Sequence, residues 1–419
     1  MEFLGLLGFL ILIYWRPQDF IPAVKDWRLV FVVMGITILL WMFRKATRRE
    51  GTKLLYIPQD YFILGLYIAV ILSTFAVHWL WYTREMMVWF AKLVIIYFLV
   101  ADILNSEDRL HKFSYALIVL TTFIAGIAIL QRFGIDITGV GMAKGGRIQG
   151  AGIYHNPNYL AYSLILILPL QYYLFRKDPS LIWRIFSFFS LAISIWAIIW
   201  TKSRGGMLSL VLTWIFIFSQ ARRPVTKFIL LGFSFFIIQM VFTIAPRFNI
   251  PLGRDPTIWL RIEAQYIAFQ LLKEHPFIGV GIHQFNEYFP PKTTHNSFAL
   301  VGAELGLIGL FMWLGFLYHN FKILYKYDKE EKYSMYIKAL QASLAAYGIM
   351  AFFVTFSYRI TLFILTGMVS ALIKQIEREK GEMSSPSPFN IKDLRNILLL
   401  EIGVVILWHL MLKYSKVIL

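Results

Sequence analysis

Long apolar runs, each broken by a few polar or charged residues, recur from end to end of this 419-residue chain. A helix of about 20 apolar residues crosses the hydrocarbon core of a bilayer. The pattern predicts spans near 3–14, 29–43, 61–79, 87–104, 113–131, 158–175, 185–201, 206–220, 228–245, 296–318, 339–356 and 360–373, with a further candidate near 396–414. The runs at 3–14, 206–220 and 360–373 are short for a crossing and call for tilt or local bilayer thinning. The expected fold class is all-α, a polytopic transmembrane helical bundle of about 12 spans with a candidate thirteenth. Residues 1–395 read as a single integral membrane domain and 396–419 as an extra C-terminal helix. Residues 1–14 have no basic n-region and no small-residue cleavage site, so they read as a retained first helix. No internal repeat stands out, which argues against the inverted-repeat transporter folds.

Composition and charge refine this picture. The chain is 58% hydrophobic and only 16% charged, where a soluble domain carries roughly 25% charged residues. A net charge of +17 would suggest nucleic-acid binding in a soluble protein. Here it reads as topology, with Lys and Arg holding loops on the cytoplasmic side. Arg44-Lys45-Ala46-Thr47-Arg48-Arg49, after the second run, sets the frame. With that loop inside, so are Arg109 and Lys112, Arg176, Lys177 and Arg184, Arg222, Arg223 and Lys227, and the basic groups at 322–338 and 374–395. Both ends of the 12-span core then face the cytoplasm, and a thirteenth span would put Leu419 outside. Four polar features fall on the far side: the loop 132–157, the turn 202–206, the long segment 246–295 and the turn Ser357-Tyr358-Arg359. The chain has no cysteine, which excludes disulfides and thiolate metal sites.

The segment 246–295 is the large external loop of this topology. Asp255-Pro256 reads as a helix N-cap followed by proline at the first helical position. Over 257–274, Ile258, Trp259, Ile262, Tyr266, Phe269 and Leu272 recur at helical spacing, with Arg261, Gln265 and Ala268 on another face. This predicts an interfacial helix along the membrane. His275-Pro276 ends it, and Gly279-Val280-Gly281 gives a tight turn.

The segment closes on Thr294-His295-Asn296-Ser297, at the mouth of an apolar helix that carries Glu304. His295 suits a general base, because an imidazole titrates near neutrality; it equally suits a polar helix entry, which Asn296 or Ser297 would cap. Glu304 has a structural role at least as readily as a chemical one. Arg204, in Thr201-Lys202-Ser203-Arg204-Gly205-Gly206, offers bidentate donors to a phosphate, or snorkels at a helix end. Arg147 lies in Gly145-Gly146-Arg147-Ile148-Gln149-Gly150, and Arg261 lies on the predicted interfacial helix. External histidines 155, 275, 283 and 295 lack metal-ligand spacing, so no metal site is expected.

These residues together resemble the O-antigen ligase and polymerase superfamily, which includes bacterial O-linked oligosaccharyltransferases. The resemblance rests on Thr201-Lys-Ser-Arg-Gly-Gly206, on Arg261 with Pro276-Phe-Ile-Gly-Val-Gly281, and above all on His295-Asn-Ser-Phe with Ala303-Glu-Leu-Gly-Leu-Ile-Gly309. Gly150 and Asn156-Pro-Asn158 fit upstream, and the match covers residues 140–373. The Trp15-Arg16-Pro17-Gln18-Asp19 segment is similar to one in some ligase-like members.

The resemblance implies glycan transfer from an undecaprenyl-diphosphate carrier to an acceptor hydroxyl, lipid A-core or similar, at the periplasmic face of a bacterial inner membrane. It implies a metal-independent, inverting enzyme with no cofactor. It places His295 as the base, Arg204 and Arg261, with Arg147, on the donor diphosphate, and Asn296 and Glu304 in support. Partners would be the lipid-linked glycan, its acceptor and membrane lipid, not nucleic acid. Polymerisation and protein O-glycosylation remain open beside ligation, and a lipid-linked sugar flippase is the alternative of a different class.

Overall fold

Short polar breaks divide the chain into helices, and in the computed structural model every regular element of the described residues is helical. The structure describes residues 1–17, 27–48, 54–77, 80–150, 154–220, 256–290, 293–381 and 390–418. The helices are α1 (Glu2–Tyr14), α2 (Leu29–Arg48), α3 (Pro58–Val77), α4 (Leu80–Ile103), α5 (Glu107–Leu130), α6 (Pro157–Lys177), α7 (Leu181–Trp200), α8 (Arg204–Ser219), α9 (Pro256–Glu274), the short α10 (Phe285–Tyr288), α11 (Ser297–Lys326), α12 (Ser334–Met350), α13 (Ile360–Glu379) and α14 (Ile391–Ile418). Among the described residues, nine are long and apolar enough to cross a membrane: α2 to α7, α11, α13 and α14. α1 and α8 are shorter apolar helices. The protein is thus a polytopic helical membrane protein. The expected span 228–245 and the expected cap Asp255 lie outside the described residues.

Side-chain pairing gives the bundle two chemically different ends. Arg44 of α2 meets Glu2 at 3.3 Å and also Asp102. Arg109 reaches Glu2 at 3.1 Å, and His111 reaches Asp178 at 3.0 Å. Lys332 meets Glu379 and Lys322 meets Asp393, each at 2.6 Å. These contacts gather the starts of α1, α5, α12 and α14 with the ends of α2, α4, α6, α11 and α13. That is the set of termini which the basic loops assign to one side. The starts of α6, α8, α11 and α13 therefore share the opposite end.

Two elements depart from the sequence pattern. The run 339–356 reads as one span, but α12 stops at Met350. Beyond it the backbone serves the next element: the Ala351 carbonyl accepts from Ser297 N–H at 2.7 Å, and the Val354 carbonyl accepts from Ser297 Oγ at 2.8 Å. The second departure is α9, which has no single lipid-facing stripe. Ala264, Ala268, Leu271 and Leu272 are buried, while Trp259 and Tyr266 are exposed. Small residues let helices approach closely, and α9 packs on α11 and α14. Phe269 contacts Trp408 and His409 of α14, at 5.0 and 5.5 Å between ring centroids.

Candidate active site

The loop 143–150 and the turn 200–204 lock together at the end away from the paired charges. Ile148 N–H donates to the Trp200 carbonyl at 3.3 Å. Arg147 Nε donates to the Thr201 carbonyl at 2.8 Å, and its Nη2 donates to Asn158 Oδ1 at 2.7 Å. Lys202 turns through a left-handed φ of 48° and its Nζ donates to the Gly145 carbonyl at 2.9 Å. Ser203 caps α8, its Oγ accepting from Gly206 N–H at 3.1 Å. Arg204 is thereby the first helical residue, its position fixed by a turn braced from two sides. At the next position a Cβ on Gly205 would stand 2.2 Å from the Tyr162 hydroxyl, so a side chain there would displace that ring. This contact presses α8 against α6.

Tyr162 joins these parts to α9. Its hydroxyl lies beside Ser203 and within electrostatic reach of Arg261 and Arg147. One turn beyond Arg261, Gln265 Oε1 accepts from Asn296 Nδ2 at 3.4 Å. Asn296 also caps α11, its Oδ1 accepting from Phe298 and Ala299 N–H at 2.9 and 3.1 Å. His295, just before the cap, has a φ of 51°, a conformation uncommon for a residue with a side chain. Thr293 bonds to Thr355 at 2.6 Å, and Ser297 Oγ accepts from Phe356 N–H at 2.9 Å. Phe356 then faces Tyr159 and Tyr162, at 6.2 and 6.4 Å between ring centroids. Contacts thus link Arg147, the Arg204 turn, Arg261 and His295-Asn296 around the start of α6. All four of the candidate arginine and histidine side chains are half-buried.

Glu304 occupies a different layer, beneath this surface. It is 2% exposed, so its carboxyl is shut off from water. It lies against the backbone N–H groups of His283 and Phe285 and the hydroxyl of Tyr358. Burial first, and Glu304 next, push the Tyr358 hydroxyl well above the usual phenol range, so it stays protonated. Two residues later α11 breaks at Gly306, with φ 64° and ψ −167°. The segment 276–281 fills the break. Val280 and Gly281 N–H donate to the Ala303 and Glu304 carbonyls at 3.0 and 2.9 Å, and Leu307 and Ile308 N–H donate to the Pro276 and Phe277 carbonyls at 2.8 and 3.2 Å. A Cβ on Gly279 would stand 2.4 Å from the Glu304 carbonyl carbon, and one on Gly306 would stand 2.4 Å from that of Phe277. The glycines of the two motifs answer each other across one contact.

Tyr159, Tyr162 and Phe356 carry no sequence signal, because aromatics in apolar runs read as packing. Among the described residues no group of three His, Asp or Glu side chains is placed to hold a metal ion.

Residues 189–314 match the O-antigen ligase family. This match spans the Arg204 turn, α9, the glycine pair and His295, and it supports placing the chain in the O-antigen ligase/polymerase superfamily. Comparison with curated proteins gives no match.

Proposed function

We propose that this chain moves a glycan from undecaprenyl diphosphate to an acceptor hydroxyl, on lipid A-core or a similar acceptor, at the periplasmic face of the bacterial inner membrane. The observation that carries this reading is the linkage of three arginine-bearing elements and His295 around the start of α6, with Arg204, Arg261 and His295 inside the segment that matches O-antigen ligases. In the reaction, the acceptor oxygen attacks the anomeric carbon and the bond from that carbon to the phosphate oxygen breaks. His295 takes the acceptor proton, and the carrier leaves as its diphosphate. Arg204 and Arg261, with Arg147, bind that diphosphate and balance its growing charge. Attack opposite the leaving group inverts the anomeric centre. Asn296 holds the histidine against α9 through Gln265, and Glu304 holds the underlying loop. No metal is required, since a sugar diphosphate already carries a good leaving group, and chelators should leave the rate of transfer unchanged.

The isoprenoid tail needs apolar surface open to the bilayer. A groove of about 480 Å³ offers it, lined by Leu7, Ile11, Ala116, Val119, Leu120 and Phe123 between α1 and α5, with Tyr115 and Trp183 at its far end. Trp15 and Phe123 also line a smaller cavity with Arg16, Gly150 and Tyr154, next to the loop that carries Arg147.

The test is purified protein in vesicles with lipid-linked glycan, with and without lipid A-core. Glycan on the core supports ligation. Longer carrier-linked chains would make the protein a polymerase, and glycan moved across the bilayer without a new bond would make it a flippase.

A further inference from the structure

The geometry assigns a fourth arginine to this site: Arg359, which binds an oxyanion of the phosphate class alongside Arg147, Arg204 and Arg261. The assignment rests on the function proposed above. Arg359 closes the turn between α12 and α13. Its guanidinium lies 4.2 Å from the Tyr159 ring centroid and 6.0 Å from that of Phe356. Asn158, the neighbour of Tyr159, accepts the hydrogen bond from Arg147. Two consecutive residues in the first turn of α6 therefore carry the two guanidiniums. Tyr162, three residues on and so on the same helix face, stands beside Ser203 and near Arg261.

Stacking occupies the faces of a guanidinium and leaves its in-plane N–H groups available. Among the described residues, no carboxylate pairs with Arg359, whose side-chain neighbours include the two rings and His283, whose protonation is disfavoured by burial first and by Arg359 next. Two buried or half-buried arginines of the opposite end are bound differently: Arg44 and Arg109 are each tied to an acid. Helix stability does not explain the placement either. Arg359 is the N-cap residue of α13 and makes no capping bond with its side chain, and the first turn has no acidic residue. A cation there opposes the helix dipole. A stacked, half-buried guanidinium among three other arginine elements is suited to an anion brought by a substrate. Both the donor diphosphate and a phosphate on the acceptor have that chemistry.

The test uses the full chain in lipid nanodiscs, with Arg359→Gln, Arg359→Lys, Arg359→Met, Arg204→Ala and Arg261→Ala measured together. Three quantities are read: affinity for undecaprenyl diphosphate alone, KM for donor, and KM for acceptors with and without phosphate. Arg359→Gln should weaken one anion about tenfold, and Arg359→Lys should recover part of the loss. A loss of affinity for undecaprenyl diphosphate places Arg359 on the donor. A raised acceptor KM, for the phosphorylated acceptor alone, places it on the acceptor. Arg359→Met keeps an apolar side chain against the rings without charge. If it matches the parent in affinity and in every KM while Arg204→Ala loses donor, the assignment of Arg359 falls and the function stands. If Arg204→Ala and Arg261→Ala also bind undecaprenyl diphosphate like the parent, both fall. Unfolding midpoints are read in parallel, and a loss confined to kcat with a lowered midpoint would mark Arg359 as structural and overturn the assignment.

Discussion

His295 lies between a capped helix and an arginine-bearing one, with its backbone in a left-handed turn. Its neighbours make its role separable from folding. Asn296, not His295, caps α11, and Ser297 carries the bonds to the 351–357 turn. We therefore expect His295→Ala to fold and insert normally and to lose transfer by about a hundredfold or more. Transfer within a few-fold of the parent, in reconstituted vesicles, would remove the base assignment. For Arg204 and Arg261, alanine should raise the donor KM and lower affinity for undecaprenyl diphosphate. Lysine should restore only part, because it cannot make the bidentate contact; unchanged donor affinity in both alanine variants would end the diphosphate role. His295 and Arg204 were visible in the sequence as polar residues at the mouths of apolar runs, and Arg261 as a residue of a predicted interfacial helix. What joins them was not. Tyr162 touches the Arg204 turn and faces Arg261 across a gap in the chain of about a hundred residues, and an isolated Tyr in an apolar helix carries no mark of that.

The elements tell a related story. Apolar runs marked nearly every helix among the described residues, because burial and bilayer length both act on a local stretch of chain. The end of α12 and the inward face of α9 escaped that logic. Each is decided by a distant partner, Ser297 in one case and α11 with α14 in the other. The glycine pair is similar: Pro276-Phe-Ile-Gly-Val-Gly281 and the start of α11 were legible as two motifs, but not as one contact. Gly306→Ala should be destabilising, since a side chain at positive φ costs about 1–3 kcal/mol before any clash with Phe277. The unfolding midpoint in detergent should fall, and Gly279→Ala should act in the same way. The two changes should be non-additive, because they disturb one contact. Additive losses would mean that the glycines act separately.

On the scale of the whole molecule, the chain separates its charges into a paired end and an end where arginine-bearing elements converge. The basic loops predicted which termini share a side, and the contacts among Glu2, Arg44, Asp102, Arg109, Lys332 and Glu379 gather that same set. Since the chain has no cysteine, single cysteines report sidedness cleanly. Cysteines at 147, 204, 261 and 295 should react with an impermeant reagent from the periplasmic side, and cysteines at 329 and 380 only after the membrane is opened. Labelling of any of the first four from the cytoplasmic side alone would dissolve the shared site.

The break in α11 has a consequence for how the protein exchanges with water. Segment 276–281 is neither helix nor strand, yet the N–H groups of Val280 and Gly281 and those of Leu307 and Ile308 are all donated across the break. In deuterated solvent, the amides of Val280, Gly281, Leu307 and Ile308 should exchange as slowly as those of the central helices, and more slowly than those of the exposed loop near Gly145. The large external loop would then be part rigid keel, set into the membrane domain and holding steady the surface on which His295 is mounted.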